Sequence, residues 1–268
     1  MEKFHVCPYF NVGPGSYTFD YKDEDMIDLD FHREQLRNEI KSDNAKKTGA
    51  FDLNRFAKME PLEDRKKISR YINKMVGQKL AWGWEYFHSG EPAGLHTDWQ
   101  TDYYCKKDCY EGRNGDMTHR TDVVAGCIIP LEWNTPVTPH TVNYNKLADN
   151  GKKLMYSKGE LREFRNKDVV IPYRCEGTWR DWSYDPEVFK YHPIGSNYLG
   201  EFAELKVHSA YTWEVGTFML FDPVRYHSSS WFLSARHLPK SYDEATEWKR
   251  AIVGFATLTW ELATGKVA

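Results

Sequence analysis

The chain has 268 residues and 36 Lys plus Arg against 39 Asp plus Glu, a net charge of −3; with no basic tail, a phosphate-backbone partner is not expected. Aromatic residues make up 15% of it, with 10 Trp, 17 Tyr and 14 Phe, which favours strands around a sizeable core and excludes a disordered chain. No apolar run approaches the roughly 18 residues that cross a bilayer, Met1-Glu2-Lys3-Phe4-His5 opens no secretory signal, and five scattered cysteines suit a reducing compartment, so the expectation is a soluble, cytoplasmic protein.

Residues 1–24 are rich in Tyr, Phe and Gly, with a Gly13-Pro14-Gly15 turn, and read as an extended arm or edge strand. Leu29, Leu36 and Ile40 recur at helical spacing through about Asp30 to Asp43, and Asn44 to Gly49 would end that helix. A second helix follows Pro61, with Ile68, Ile72, Met75 and Val76 on one stripe and Gly77 at its stop. Both helices are expected to buttress a sheet.

From Lys79 the period changes to two, as Trp82, Trp84 and Tyr86 alternate with Gly83, Glu85 and Phe87 before a Ser89-Gly90-Glu91-Pro92 turn. Directly after it comes Gly94-Leu95-His96-Thr97-Asp98-Trp99. On a strand, His96 and Asp98 share a face and can reach one metal ion. Such a His-x-Asp triplet arises by chance about once in a chain of this composition, so its surroundings carry the weight. Cys105 and Cys109, with His119 beyond, fit no common zinc spacing.

Thr121 to Ile129 is a nearly continuous apolar run, a buried strand closed by Pro130 and the Trp133-Asn134-Thr135-Pro136 turn. Thr141 to Asn145 reads as a short strand. Lys146 to about Val207 is polar, aromatic and rich in turn signals, either a lid over the site or an ordered surface excursion. Gly216 to Asp222 is again strand-like and leads to His227, and Arg250 to Trp260 forms a last strand. His227 is the natural third ligand beside His96 and Asp98. Two imidazoles and a carboxylate leave three octahedral positions open, the facial arrangement of non-haem Fe(II) oxygenases.

Helices first and many strands after them predict a mainly β (α+β) protein, a jelly-roll barrel with an N-terminal helical layer. We expect one domain over 1–268, with an arm and supporting helices over 1–78, barrel strands over 79–264 and an insertion over about 146–211.

The ordered set His96-x-Asp98, His227 and Arg250 resembles the signature of Fe(II)/2-oxoglutarate-dependent oxygenases across about Trp82 to Trp260. Gly216-x-x-x-x-Phe221 likewise resembles that family's strand before its second histidine. The resemblance implies a double-stranded β-helix, with Fe(II) on His96, Asp98 and His227 as the catalytic centre. It also implies that Arg250 anchors the distal carboxylate of 2-oxoglutarate, with Arg236 as the alternative because its spacing from His227 is the more usual one. Arg250 is preferred because Ile252, Gly254 and Ala256 share its face and leave room beside the guanidinium.

Asn143 and Tyr144 are carried as cosubstrate-binding positions and Trp99 as a pocket-lining one, with packing as the alternative for each. The implied reaction consumes O2 and 2-oxoglutarate, releases succinate and CO2, and hydroxylates a C–H bond of a small molecule or of an amino-acid or peptidyl side chain. The absence of a further basic residue between Arg250 and Trp260 sets it apart from the family's DNA-repair members. Two other readings stay open: a cupin-like metalloenzyme that does not use 2-oxoglutarate, and a non-catalytic binding module on the same scaffold.

Overall fold

The computed structural model describes residues 10–41, 46–48, 53–98, 123–147, 186–193, 202, 205–235, 238–240 and 244–258. Its first strand, β1 (Gly15–Thr18), is followed by helix α1 (Leu29–Lys41). The Asp28 carboxylate accepts the amides of Asp30 and Phe31 at 3.0 and 3.1 Å and so caps this helix. Leu29, His32, Leu36 and Ile40 form its buried face.

Two strands absent from the sequence reading come next, β2 (Lys46–Thr48) and β3 (Asn54–Lys58). Helix α2 (Leu62–Val76) buries Ile68, Tyr71, Ile72 and Val76, and ends at Gly77, which takes φ 74°, a left-handed conformation that glycine adopts without strain.

The remaining strands are β4 (Leu80–Ser89), β5 (Val123–Asn134), β6 (His140–Leu147), β7 (Val207–Thr212), β8 (Thr217–Phe221), β9 (Arg225–Ser229) and β10 (Trp248–Leu258), with a short helix α3 (Pro186–Tyr191) between β6 and β7. A seven-stranded sheet has the order β1-β8-β5-β10-β4-β3-β2, and a three-stranded sheet the order β7-β6-β9. The recorded pairings are antiparallel. From β4 onward the chain moves back and forth between the two sheets, the winding of a double-stranded β-helix. β6 ends at Leu147 and β7 begins at Val207, with residues 148–206 between them.

Strand alternation divides the large sheet into two faces. Ile252 and Ala256 of β10, Trp84 and Tyr86 of β4, Ile129 and Leu131 of β5, and Phe218 and Leu220 of β8 pack with the helices. Ala251, Val253 and Met219, with Phe56, Phe87 and Ile128 partly buried against them, form the opposite face, which meets Trp213 and Tyr211 from the small-sheet side. The outer face of the small sheet has its own cover: Val142, Tyr144 and Tyr226 pack with Val188 of α3, Phe202 and Leu205. In its described parts, then, the insertion backs the small sheet instead of closing over the interior.

Gly254 shows why small residues stand on the helix-facing side of β10. A Cβ there would lie 2.3 Å from carbons of the Trp84 ring, and that ring is held by its Nε1 donating to Ser69 Oγ of α2 at 2.9 Å. Gly254→Val is therefore expected to lower stability by about 1–3 kcal/mol through overpacking. Denaturant melts give the value; an unchanged midpoint would contradict this packing.

Candidate metal centre

The residues that bring the site together are backbone partners. His96 N donates to His227 O at 3.0 Å and His227 N to His96 O at 2.9 Å, flanked by Ser229 N to Ala93 O at 3.0 Å and Asp98 N to Pro223 O at 2.9 Å. The 93–98 segment is thus an antiparallel addition beside β9, although only His96 forms a ladder bridge.

His96, Asp98 and His227 consequently converge, with one ligand atom from each lying within 4.8 Å of the others. Asp98 Oδ2 is 3.0 Å from His227 Nε2, and Asp98 Oδ1 is 3.6 Å from His96 Nε2. Metal–nitrogen bonds of about 2.1 Å place neighbouring donors on an octahedron about 3 Å apart, so the carboxylate already stands at ligand spacing from both imidazoles.

The hydrogen bonds behind the rings also suit a metal. His96 Nδ1 lies 2.6 Å from Gly94 O, and His227 Nδ1 lies 2.9 Å from Arg225 O. Each carbonyl takes an Nδ1–H, which turns Nε2 inward; on His227 that nitrogen carries a proton towards Asp98 and would offer its lone pair to a metal on losing it. Burial opposes charge on His227, but the Asp98 carboxylate and the Arg225 carbonyl outweigh it and raise the imidazole's pKa. His227 is buried whereas the His96 side chain is 38% exposed, so the centre opens on the His96 side. The Phe221 ring forms a wall 4.9 Å from the His227 ring. Gly126 makes room for that wall, since a Cβ there would lie 2.1 Å from Phe221.

The small sheet lines the interior with polar groups. Asn143 of β6 stands opposite His227 of β9 and Ser209 of β7. It is buried, its Nδ2 donates to Ser209 Oγ at 3.3 Å, and its Oδ1 has no hydrogen-bond partner among the described residues. One rung along, Thr141 stands between Ser229 and Tyr211 and accepts Trp213 Nε1 at 3.1 Å.

Tyr144 does not share this lining. Neighbouring strand residues point to opposite faces, so with Asn143 inward Tyr144 faces outward, where its hydroxyl bonds His192 Nε2 and Ser228 Oγ, both at 3.0 Å. Burial pushes the His192 pKa down to about 3, and the neutral ring stacks on Phe202. This network ties α3 to the back of β9.

Arg250 is on the other side of the large sheet from the metal centre. It shares a face with Ile252 and Ala256, as the sequence suggests, but that face is the helix-facing one. Its Nη1 bonds Glu132 Oε1 at 2.6 Å, its Nε donates to His88 Nδ1 at 3.0 Å, and its guanidinium lies 4.0 Å from the Trp248 ring centroid. Arg37 of α1 bonds Glu132 from above at 2.5 Å. Burial, then Arg250 and Arg55, push the His88 pKa down to about 3, which fits a neutral ring accepting from Arg250. The small side chains beside Arg250 accommodate Trp84, not a ligand. Arg236 and Trp99 lie outside the described residues.

The inward-facing cation of β10 is the preceding residue, Lys249, which sequence reasoning missed. It is 3% exposed, its Nζ donates to Ser229 Oγ, and the same atom lies 4.5 Å from the Trp213 ring and 5.2 Å from the Phe232 ring. Among the described residues no carboxylate forms an ion pair with it. Burial pushes its pKa down to about 7. The available signal was the adjacency of Lys249 and Arg250 on one strand, since only one of two neighbours can face inward.

No protein-family model matches the chain, and no curated protein does. Among solved structures it is similar to the epimerase SnoN in complex with Fe3+, alpha-ketoglutarate and nogalamycin RO (8% identity, 86% of this chain and 74% of that one, TM-score 0.43). It is also similar to a Pseudomonas putida prolyl-4-hydroxylase (9%, 91% and 91%, TM-score 0.40). A third is HygX from Streptomyces hygroscopicus with nickel and 2-oxoglutarate bound (10%, 92% and 84%, TM-score 0.40). With TM-scores below 0.5 these likenesses bear on neither site nor chemistry. No helix among the described residues is long and apolar enough to cross a membrane.

A buried lysine that has no counter-charge among the described residues is a cost to the fold. In the unfolded chain a lysine keeps its proton up to about pH 10.4, whereas the folded Lys249 releases it near 7. The folded state is therefore penalised fully below pH 7, and the penalty fades as pH rises towards the unfolded value. Lys249→Met is expected to raise the thermal midpoint, more at pH 6 than at pH 10. A lower midpoint at pH 6 would contradict the burial of an unpaired amine.

Proposed function

We propose that the chain is an Fe(II)- and 2-oxoglutarate-dependent oxygenase that hydroxylates a C–H bond of a small molecule or of an amino-acid or peptidyl side chain. The observation that carries this reading is the meeting, between the two sheets, of a His-Asp-His cluster with a buried lysine that lacks a carboxylate partner among the described residues. Ser229, which touches Lys249, lies two residues beyond His227 on β9, about 7 Å along the strand. A short diacid can meet a metal at one end and an ammonium at the other across that interval.

In this reading His96, Asp98 and His227 would hold the iron, which would supply the oxidising chemistry that turns O2 and the keto acid into succinate, CO2 and a hydroxylated product. The Asp98 carboxylate offsets part of the metal's charge, and the Gly94 and Arg225 carbonyls keep both imidazole lone pairs aimed inward. Lys249, in place of Arg250, binds the distal carboxylate, and Ser229 orients its amine. Asn143 offers a buried amide to whatever sits beside His227. Phe221, Val253 and Ala251 keep water from the apolar side.

Three variants test these roles by calorimetry under anaerobic conditions. His227→Ala is expected to abolish stoichiometric Fe(II) binding with the fold retained, and near-normal iron content would remove the ligand assignment. Lys249→Ala leaves a buried carboxylate unpaired, a penalty of about 3 to 5 kcal/mol, so 2-oxoglutarate binding is expected to weaken more than a hundredfold with Fe(II) binding little changed. Arg250→Ala is expected to leave 2-oxoglutarate affinity within a few-fold of the parent. The reverse order would reassign the anchor. Absence of metal-dependent 2-oxoglutarate binding in the parent protein would favour the cupin-like alternative.

A further inference from the structure

We infer that Lys249 takes up a proton when a dicarboxylate binds, so that loading of the interior site is coupled to pH. The inference rests on the proposed keto-acid site and adds to it a property that an arginine anchor would not have. Two aromatic rings and one hydroxyl surround the amine. The two ring faces return part of an ammonium's lost hydration and the hydroxyl one hydrogen bond, but the amine is cut off from water, and that desolvation is what favours its neutral form.

Among the described residues, the groups around the cage do not restore the charge. From the metal side come His227 and Asp98, which are bonded to each other at 3.0 Å. Asp222 at the end of β8 is buried and accepts Val224 N at 3.1 Å. Ser89 and Trp133 are the register neighbours of Lys249 on β4 and β5. Beyond Ser89, Glu91 accepts Asn54 Nδ2 at 2.8 Å, and burial raises its own carboxyl towards the neutral form. Tyr211 faces the cage from β7 as a phenol. Arg250, His88 and Glu132 satisfy one another across the sheet.

An amine surrounded in this way, with a pKa near 7, is about half protonated at neutral pH and mostly neutral one unit higher. A carboxylate arriving beside it supplies the missing counter-charge and raises its pKa. The nitrogen lone pair then forms one N–H bond with a proton from solvent. No other bond changes, and the new ammonium cancels the ligand's distal charge. The sign follows directly: above pH 7 each bound diacid must recruit a proton, so affinity falls as pH rises.

The test is calorimetric titration of the full chain, loaded with Mn(II), by 2-oxoglutarate at pH 6, 7 and 8.5 in pairs of buffers that differ in ionisation enthalpy. The expected result is a proton uptake that grows from pH 6 to pH 8.5 and approaches one, with Kd rising by up to about tenfold per pH unit at the upper end. Lys249→Arg stays charged throughout and is expected to bind without uptake and with a flat pH profile. Binding by the parent protein without uptake overturns the inference and leaves the proposed function standing, as does an uptake that survives in Lys249→Arg. Failure of the parent to bind 2-oxoglutarate overturns both. Should the variant not fold, the parent's proton count across the three pH values decides alone.

Discussion

His96 and His227 exchange both of their backbone hydrogen bonds, at 3.0 and 2.9 Å, and the chemistry of the interior depends on that exchange. Two histidines 131 positions apart are thereby set side by side, with ring centroids 4.4 Å apart. Asp98 follows two residues on and reaches both. A cluster built from backbone pairing is as rigid as the sheet that supplies it. The Tyr144–His192–Ser228 network behind β9 and the α3 cover add stiffness from the outer side. Spending part of the long insertion on this backing gives the small sheet, which has only three described strands, a second hydrophobic layer.

The interior is chemically lopsided. The small sheet contributes His227, Asn143, Ser209, Thr141 and Ser229, and the large sheet contributes Ala251, Val253, Met219 and Phe221. One wall is thus polar and the other apolar. Lys249 is the exception, a cation from the apolar wall that leans across to Ser229 of the polar one. Its cost to the fold comes from an amine deprived of water and, among the described residues, of a carboxylate partner.

The two helices, the turn of the chain from helix to strand at Lys79, the buried run now seen as β5 and the pairing of His96 with Asp98 were all legible, because helical stripes, strand alternation and the His-x-Asp spacing are local patterns; that His227 converges on them follows from the pairing of distant strands. What was not legible is which face of a strand looks inward when both faces are apolar. On β10 the alternating sets Ile252, Gly254, Ala256 and Ala251, Val253, Phe255 carry nearly the same signal, and the smaller set was read as space for a ligand. Trp84 occupies that space. Asn143 and Tyr144 pose the same problem on a shorter strand, where only one of the pair can face the cavity. Strands β2 and β3 escaped because Asn54-Arg55-Phe56-Ala57-Lys58 alternates too weakly to stand out without its pairing to β4.

X-ray absorption at the iron edge of the anaerobic Fe(II)-loaded protein tests the central claim most directly. Two imidazole nitrogens in a shell otherwise made of oxygen donors, changing on addition of 2-oxoglutarate without loss of the imidazoles, is the result predicted for His96, Asp98 and His227. A sulfur-containing shell, or one with fewer than two imidazoles, would contradict it.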